Sequence, residues 1–114
     1  MADDGDRSEQ EVELRYQPLV ALSDWRINGY EALLRWRHPA YGLLTPADFL
    51  SAAAELGYLV PIGAWVLREA CSAAARWQRD AGRPLRMNVN VSADHLASAG
   101  LIDDVKRALQ QSGL

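Results

Sequence analysis

A single cysteine, Cys71, cannot close an internal disulfide, so nothing in the chain is covalently stapled and a reducing compartment is its natural setting. No apolar run approaches the roughly 20 residues of a membrane span, and the N-terminal stretch is acidic where a secretory leader would be basic. A cytoplasmic location is therefore expected. Positive charge is also scarce: Lys and Arg number 12 against 15 Asp and Glu, a net charge of -3. That is too little cationic surface to displace counterions from a nucleic-acid backbone, which argues against DNA as a partner. Only two histidines occur, His38 and His95, and neither has a second ligand at a recognisable spacing, so a histidine metal site is not expected. What remains is an ordinary globular composition, 49% hydrophobic and 24% charged over 114 residues, enough for one domain with a modest core.

Met1 to Gln10 is polar and acidic, with no large apolar group to offset the entropy of ordering, and reads as a disordered tail or linker remnant before a domain over 11–114. Alternation starts at Val12. Val12, Leu14, Tyr16, Pro18, Val20 and Leu22 fall on one face, and Glu13, Arg15, Gln17, Leu19 and Ala21 on the other. A half-buried strand has this period of two, and Pro18 marks it as an edge or a bulge. Two turns are available next. Asn28-Gly29 is a strong hairpin signal, but a turn at Ser23 to Arg26 leaves Ile27 to Trp36 as one unbroken strand and is favoured. Either choice pairs the first two strands antiparallel, because so short a connection cannot cross over.

His38 to Gly42 reads as a loop. Thr45-Pro46-Ala47-Asp48 then opens a helix, with Phe49, Ala52, Ala53 and Leu56 as its stripe and Gly57 as its stop. A longer helix opens at Pro61 and ends at Gly82, burying Ile62, Trp65, Val66, Ala70, Ala73 and Trp77 and carrying Cys71 as an inert, packed thiol. Leu85 to Ser92 alternates again, with Arg86, Asn88, Asn90 and Ser92 on its polar face. A third helix follows within Ala93 to Leu114, with Leu101, Ile102, Val105, Ala108 and Leu109 as its stripe. Strands alternating with helices point to an α/β fold with a parallel sheet or barrel, of which only part is present. Such an open sheet would expose strand edges and favour self-association.

The second strand carries the chemistry. Glu31, Leu33 and Arg35 share one face, while Tyr30, Ala32, Leu34 and Trp36 share the other. A charge committed to an inner face needs a metal, an anion or another charge as its partner.

Six stretches in order resemble the EAL-domain family, the cyclic di-GMP phosphodiesterases of bacterial signalling. They are Tyr16-Gln17-Pro18, Gly29 to Trp36 (GYEALLRW), Thr45 to Phe49 (TPADF), Ala54 to Gly57 (AELG), Trp65-Val66-Leu67 and Asn88 to Ser92 (NVNVS). A lone Glu-Ala-Leu would be commonplace; six matches across Leu14 to Ser92 are specific. The resemblance implies a partial TIM-like barrel, about the first half, whose first two strands form an antiparallel hairpin, followed by helix, helix, strand and helix. It also settles the turn at Ser23 to Arg26, because the family keeps the glycine matched by Gly29 within the second strand. By the same resemblance, Glu31 and Asn90 are ligands of the catalytic Mg²⁺ or Mn²⁺ ions, and Gln17 and Arg35 contact the cyclic di-GMP. It admits a homodimer of two such domains in an intact protein.

The family's remaining metal carboxylates and its lysine belong to later strands that are not among these 114 residues. The chain is therefore expected to be the N-terminal portion of a phosphodiesterase domain, inactive by itself because a site with one carboxylate and one amide holds a hydrated divalent ion poorly. The alternative is a degenerate, non-catalytic module that binds nucleotide or protein.

Overall fold

The computed structural model describes residues 12–38, 42–55 and 57–114; the acidic stretch expected as a tail lies outside them. The first alternating segment is β1 (Val12–Val20), paired antiparallel with β2 (Ile27–His38) from Val12 opposite Trp36 to Val20 opposite Ile27. The register shifts between Leu19 and Val20. The turn falls where the unbroken second strand requires it. Ala21 N–H donates to the Arg26 carbonyl at 2.9 Å and Trp25 N–H to the Ala21 carbonyl at 2.8 Å, and Asp24 Oδ1 accepts from Arg26 N–H at 3.0 Å. Leu22, assigned by alternation to the apolar face, instead lies in this turn and is exposed, as is Trp25.

Two segments share the edge of β2 that β1 leaves free. β3 (Gly42–Leu44) folds back antiparallel on the end of β2, setting Gly42 opposite His38 and Leu44 opposite Trp36. This corrects the reading of His38 to Gly42 as a single loop: both end residues belong to strands, and Pro39, Ala40 and Tyr41 lie outside the described residues. β4 (Arg86–Val89) runs parallel to β2, with Gly29 opposite Arg86 and Ala32 opposite Val89. Gly29 is required there, since a side chain at that position would run into the Arg86 backbone.

A parallel pair needs a crossover, and α1 (Pro46–Glu55) and α2 (Leu59–Ala81) supply it. Asp48 Oδ2 accepts from both the backbone N–H (2.9 Å) and the hydroxyl (3.0 Å) of Thr45, closing the start of α1. Of the stripe expected on α1, Ala53 is buried; the side chains of Phe49 and Ala52, and Leu56 itself, lie outside the described residues. The turn from α2 into β4 is tied down twice. Gln78 Oε1 accepts from Leu85 N–H at 2.9 Å, and Arg83 Nη2 donates to the Ile27 carbonyl at 2.6 Å, fixing β4 against the start of β2.

The apolar face of the sheet packs on α2. Trp77 receives Tyr16 edge-on and Tyr30 tilted, both with ring centroids at 4.8 Å, contacts worth about 0.5–1.5 kcal/mol each beyond area burial. Burial raises the Tyr16 hydroxyl above its ordinary pKa, and the nearby Glu69 carboxylate adds to that, with Arg76 opposing. The rest of the core is small: Ala70, Ala73, Ala74, Ala75 and, from the last helix, Ala108 are all nearly inaccessible, beside Val66 and Leu67. Alanine at these positions lets helices approach closely, at the cost of little apolar area per residue. Cys71 is half-buried, and burial pushes its thiol pKa up, away from nucleophilic use.

The single helix expected after β4 is two helices, α3 (Ala93–Ala97) and α4 (Leu101–Ser112), hinged at Ser98 to Gly100. Of the stripe predicted on α4, Ala108 is buried, but Ile102 and Leu109 point outward. The outer edges of β1 and β4 have no strand partner among the described residues.

Candidate functional site

The face of the sheet opposite α2 gathers the polar residues. Alternation puts Gln17 on that face of β1, Glu31 and Arg35 on that face of β2, and Asn88 on that face of β4. The two registers then set Gln17 directly opposite Glu31 on one side and Asn88 opposite Glu31 on the other. Three strands thus place a row of amide, carboxylate and amide across the sheet, centred on Glu31.

Asn90 follows β4 by one residue and extends the row toward the strand ends. Its Nδ2 donates to Glu31 Oε2 at 3.2 Å, joining positions 59 apart in sequence. The bond is exposed, so water competes for it and it adds little to stability. Ser92, the next residue on the same face, is committed to the fold. Its hydroxyl caps α3 by accepting from His95 N–H at 3.1 Å.

Arg35 lies two residues beyond Leu33 on the same face and is partly buried. Its Nη1 donates to the Leu34 carbonyl at 2.7 Å, which anchors one edge of the guanidinium and leaves its other N–H groups available as donors. Nearby, Glu13 binds Arg15 and Arg37 at once, through Oε2 to Arg15 Nε at 2.7 Å and through Oε1 to Arg37 Nη2 at 3.0 Å. The hydrogen bond from Arg15, above all, holds the Glu13 carboxyl below the ordinary carboxylate range; burial opposes it, and the hydrogen bond from Arg37 adds to the lowering. This cluster was not singled out from sequence, although alternation already put Glu13 and Arg15 on the face of Gln17.

His95 is a different kind of polar residue. Its ring is 1% exposed, and Nε2 donates to Asp104 Oδ2 at 2.9 Å. It is a buried tie between α3 and α4. Among the described residues no three His, Cys, Asp or Glu side chains lie together as a cage for an ion. Glu31 and Asn90 set a carboxylate and an amide side by side, residue types whose oxygens hard divalent cations can take.

A hairpin joined through a two-helix crossover to the parallel strand β4, with polar residues converging where β4 ends, defines an α/β half-barrel with its candidate site at the strand ends. Residues 4–114 match the EAL domain family, and the chain belongs to that family. It is 42% identical over 106 residues to the cyclic di-GMP phosphodiesterase NbdA of Pseudomonas aeruginosa, covering 93% of this chain and 14% of that protein. It is 41% identical over 100 residues to the cyclic di-GMP phosphodiesterase PdeR of Escherichia coli K12, covering 86% of this chain and 14% of that one. Among solved structures, the PaMucR phosphodiesterase in complex with c-di-GMP superposes with a TM-score of 0.88 at 41% identity, over 97% of this chain and 46% of that one. The FimX EAL domain from Pseudomonas aeruginosa bound to c-di-GMP gives 0.78 at 26% identity, over 97% and 43%. The chain therefore spans about half the length of these two solved structures and about a seventh of these two curated relatives. No helix among the described residues is long and apolar enough to cross a membrane.

Proposed function

We propose that this chain forms the first half of the active site of a cyclic di-GMP phosphodiesterase, which opens the cyclic dinucleotide to its linear form. In this reading Glu31 and Asn90 hold a divalent cation, Mg²⁺ or Mn²⁺, while Arg35 and Gln17 bind the dinucleotide. The observation that carries it is the Asn90–Glu31 contact at 3.2 Å, which joins the end of β4 to β2 on the face that also carries Gln17 and Arg35.

The chemistry fits these residue types. Glu31 offers an anionic oxygen, and Asn90, turned half a revolution about its amide, offers a neutral one. Arg35 presents donors in a rigid fork suited to a phosphodiester, with its position set by the Leu34 carbonyl. Gln17, opposite Glu31, can donate and accept at once, which suits a base edge or a phosphate oxygen. When bound, the cation would supply an acidified water and offset charge on the phosphoryl oxygens. A nucleotide second messenger as substrate implies a cytoplasmic site of action.

The test is hydrolysis of cyclic di-GMP by the full-length protein carrying this chain, with linear dinucleotide as the product. Chelation should abolish it, and Arg35→Lys should weaken substrate binding, because a lysine cannot reproduce the fork. A second reading, a module that binds the dinucleotide without cleaving it, is favoured by the single carboxylate in the pair and the absence of a three-residue acidic or histidine cluster among the described residues. Tight binding with no turnover in the presence of Mg²⁺ or Mn²⁺ would select that reading.

A further inference from the structure

Three arginines crowd one end of the polar face, Arg15 on β1 and Arg35 and Arg37 on β2, and one carboxylate, Glu13, sits among them. Glu13 stands directly opposite Arg35 in the register, where opposite charges on neighbouring strands normally pair. Its oxygens are committed elsewhere. Oε2 accepts from Arg15 Nε at 2.7 Å, and Oε1 accepts from Arg37 Nε at 3.1 Å and Nη2 at 3.0 Å. Arg35 bonds only the Leu34 carbonyl and has no carboxylate partner among the described residues.

We propose that Glu13 is a specificity-determining residue of the dinucleotide site, clamping Arg15 and Arg37 so that Arg35 alone is free to meet a phosphate. The proposal rests on the reading of Arg35 as the phosphodiester contact. Its consequence lies in charge. A cyclic dinucleotide carries one negative charge on each of its two phosphodiesters, whereas the linear product exchanges one of them for a terminal phosphate monoester of higher charge. A site with three free guanidiniums would prefer the linear form and retain it. A site with one free guanidinium has less reason to. Glu13 therefore acts against product retention, and its depressed pKa keeps it ionised at neutral pH.

Glu13→Gln removes the charge and keeps the shape. In the full-length protein, calorimetric titrations with cyclic di-GMP, the linear dinucleotide, inorganic pyrophosphate and orthophosphate read the effect. Glu13→Gln should tighten the linear dinucleotide relative to the cyclic one, and pyrophosphate relative to orthophosphate, by about threefold to tenfold. Adding Arg15→Gln and Arg37→Gln should return both ratios to their native values. Glu13→Asp, which keeps the charge but shortens the reach, should shift them in the same direction by less, and it serves if the glutamine variant does not fold. Unchanged ratios overturn the proposal, as does a shift that survives removal of Arg15 and Arg37. A native protein that binds no cyclic di-GMP would overturn the phosphodiesterase reading instead, and the ratio of pyrophosphate to orthophosphate would then decide the clamp by itself.

Discussion

Asn90 and His95 lie within one short stretch after β4, and each meets a carboxylate, Asn90 that of Glu31 from β2 and His95 that of Asp104 from the next helix, yet the two contacts do opposite work. His95 Nε2 reaches Asp104 Oδ2 at 2.9 Å with its ring 1% exposed. Its backbone N–H is taken by Ser92 Oγ, its carbonyl accepts from Ser98, and its ring lies where a side chain on Gly63 would have to go. Its backbone N–H, its carbonyl and its Nε2 are all taken up by the fold. Asn90 reaches Glu31 at 3.2 Å in an exposed setting, with Gln17 and Asn88 as neighbours in register and solvent on the open side. A closed polar contact fixes an element; an open one leaves a carboxylate that a ligand can claim. The first kind costs stability when cut, and the second costs function.

The sharpest way to separate them is to cut each. Glu31→Gln should lower divalent-dependent hydrolysis of cyclic di-GMP by more than about 100-fold, since loss of a ligand should exceed the 10–100-fold typical of outer-shell changes. Its melting should move by no more than about 0.5 kcal/mol, the scale of an exposed pair. His95→Ala should destabilise by about 2–4 kcal/mol, because it opens a cavity and leaves Asp104, in a poorly solvated setting, with only the long contact to the exposed Arg107 at 3.7 Å. Urea denaturation followed by tryptophan fluorescence would register that loss. Gly63→Ala attacks the same tie from α2 by pressing a methyl group into the His95 ring, at a cost of about 1–3 kcal/mol. If it melts like the native protein, the ring has room that the packing denies.

The smallest effect concerns Glu13. Arg15, and then Arg37, depress its folded-state pKa, so its carboxylate favours the folded state at pH values above the ordinary carboxylate range. That contribution is lost as the pH falls through its lowered folded value. Glu13→Gln should therefore lower stability slightly at pH 7 and leave it unchanged near pH 2. A difference of equal size at both pH values would mean that the clamp is not electrostatic.

Much of this was legible in sequence, and the reason is periodicity. Alternation through β1, β2 and β4 assigned Tyr16, Tyr30 and Ala32 to the packed face and Gln17, Glu31, Arg35, Asn88 and Asn90 to the polar one, as the structure has them. The long α2 stripe and its end at Gly82 were also readable, because 23 residues give many turns over which to see a face. Short elements were not. β3 has three residues, too few to show a period of two. The break between α3 and α4 depends on Ser98 and Gly100, small residues that also occur inside helices. Ile102 looked like core because it fits a helical stripe through Val105 and Leu109, but a helix standing beside α2 buries only the narrow arc around Ala108. The partner of His95 could not be read at all, since nothing in sequence says that the first turn of α4 will face the ring.

The proposed function requires Glu31 and Asn90 to be a ligand site rather than one more tie in the fold. Mn²⁺ binding to the full-length protein in the presence of cyclic di-GMP, followed by the electron paramagnetic resonance signal of free Mn²⁺, addresses this directly when native protein, Glu31→Gln and His95→Ala are compared at a temperature where all three are folded. If Glu31 and Asn90 form a ligand site, Glu31→Gln weakens Mn²⁺ binding by more than about 100-fold at native melting temperature, while His95→Ala binds the ion but melts early. Native Mn²⁺ affinity in Glu31→Gln, or a melting loss as large as that of His95→Ala, would contradict it.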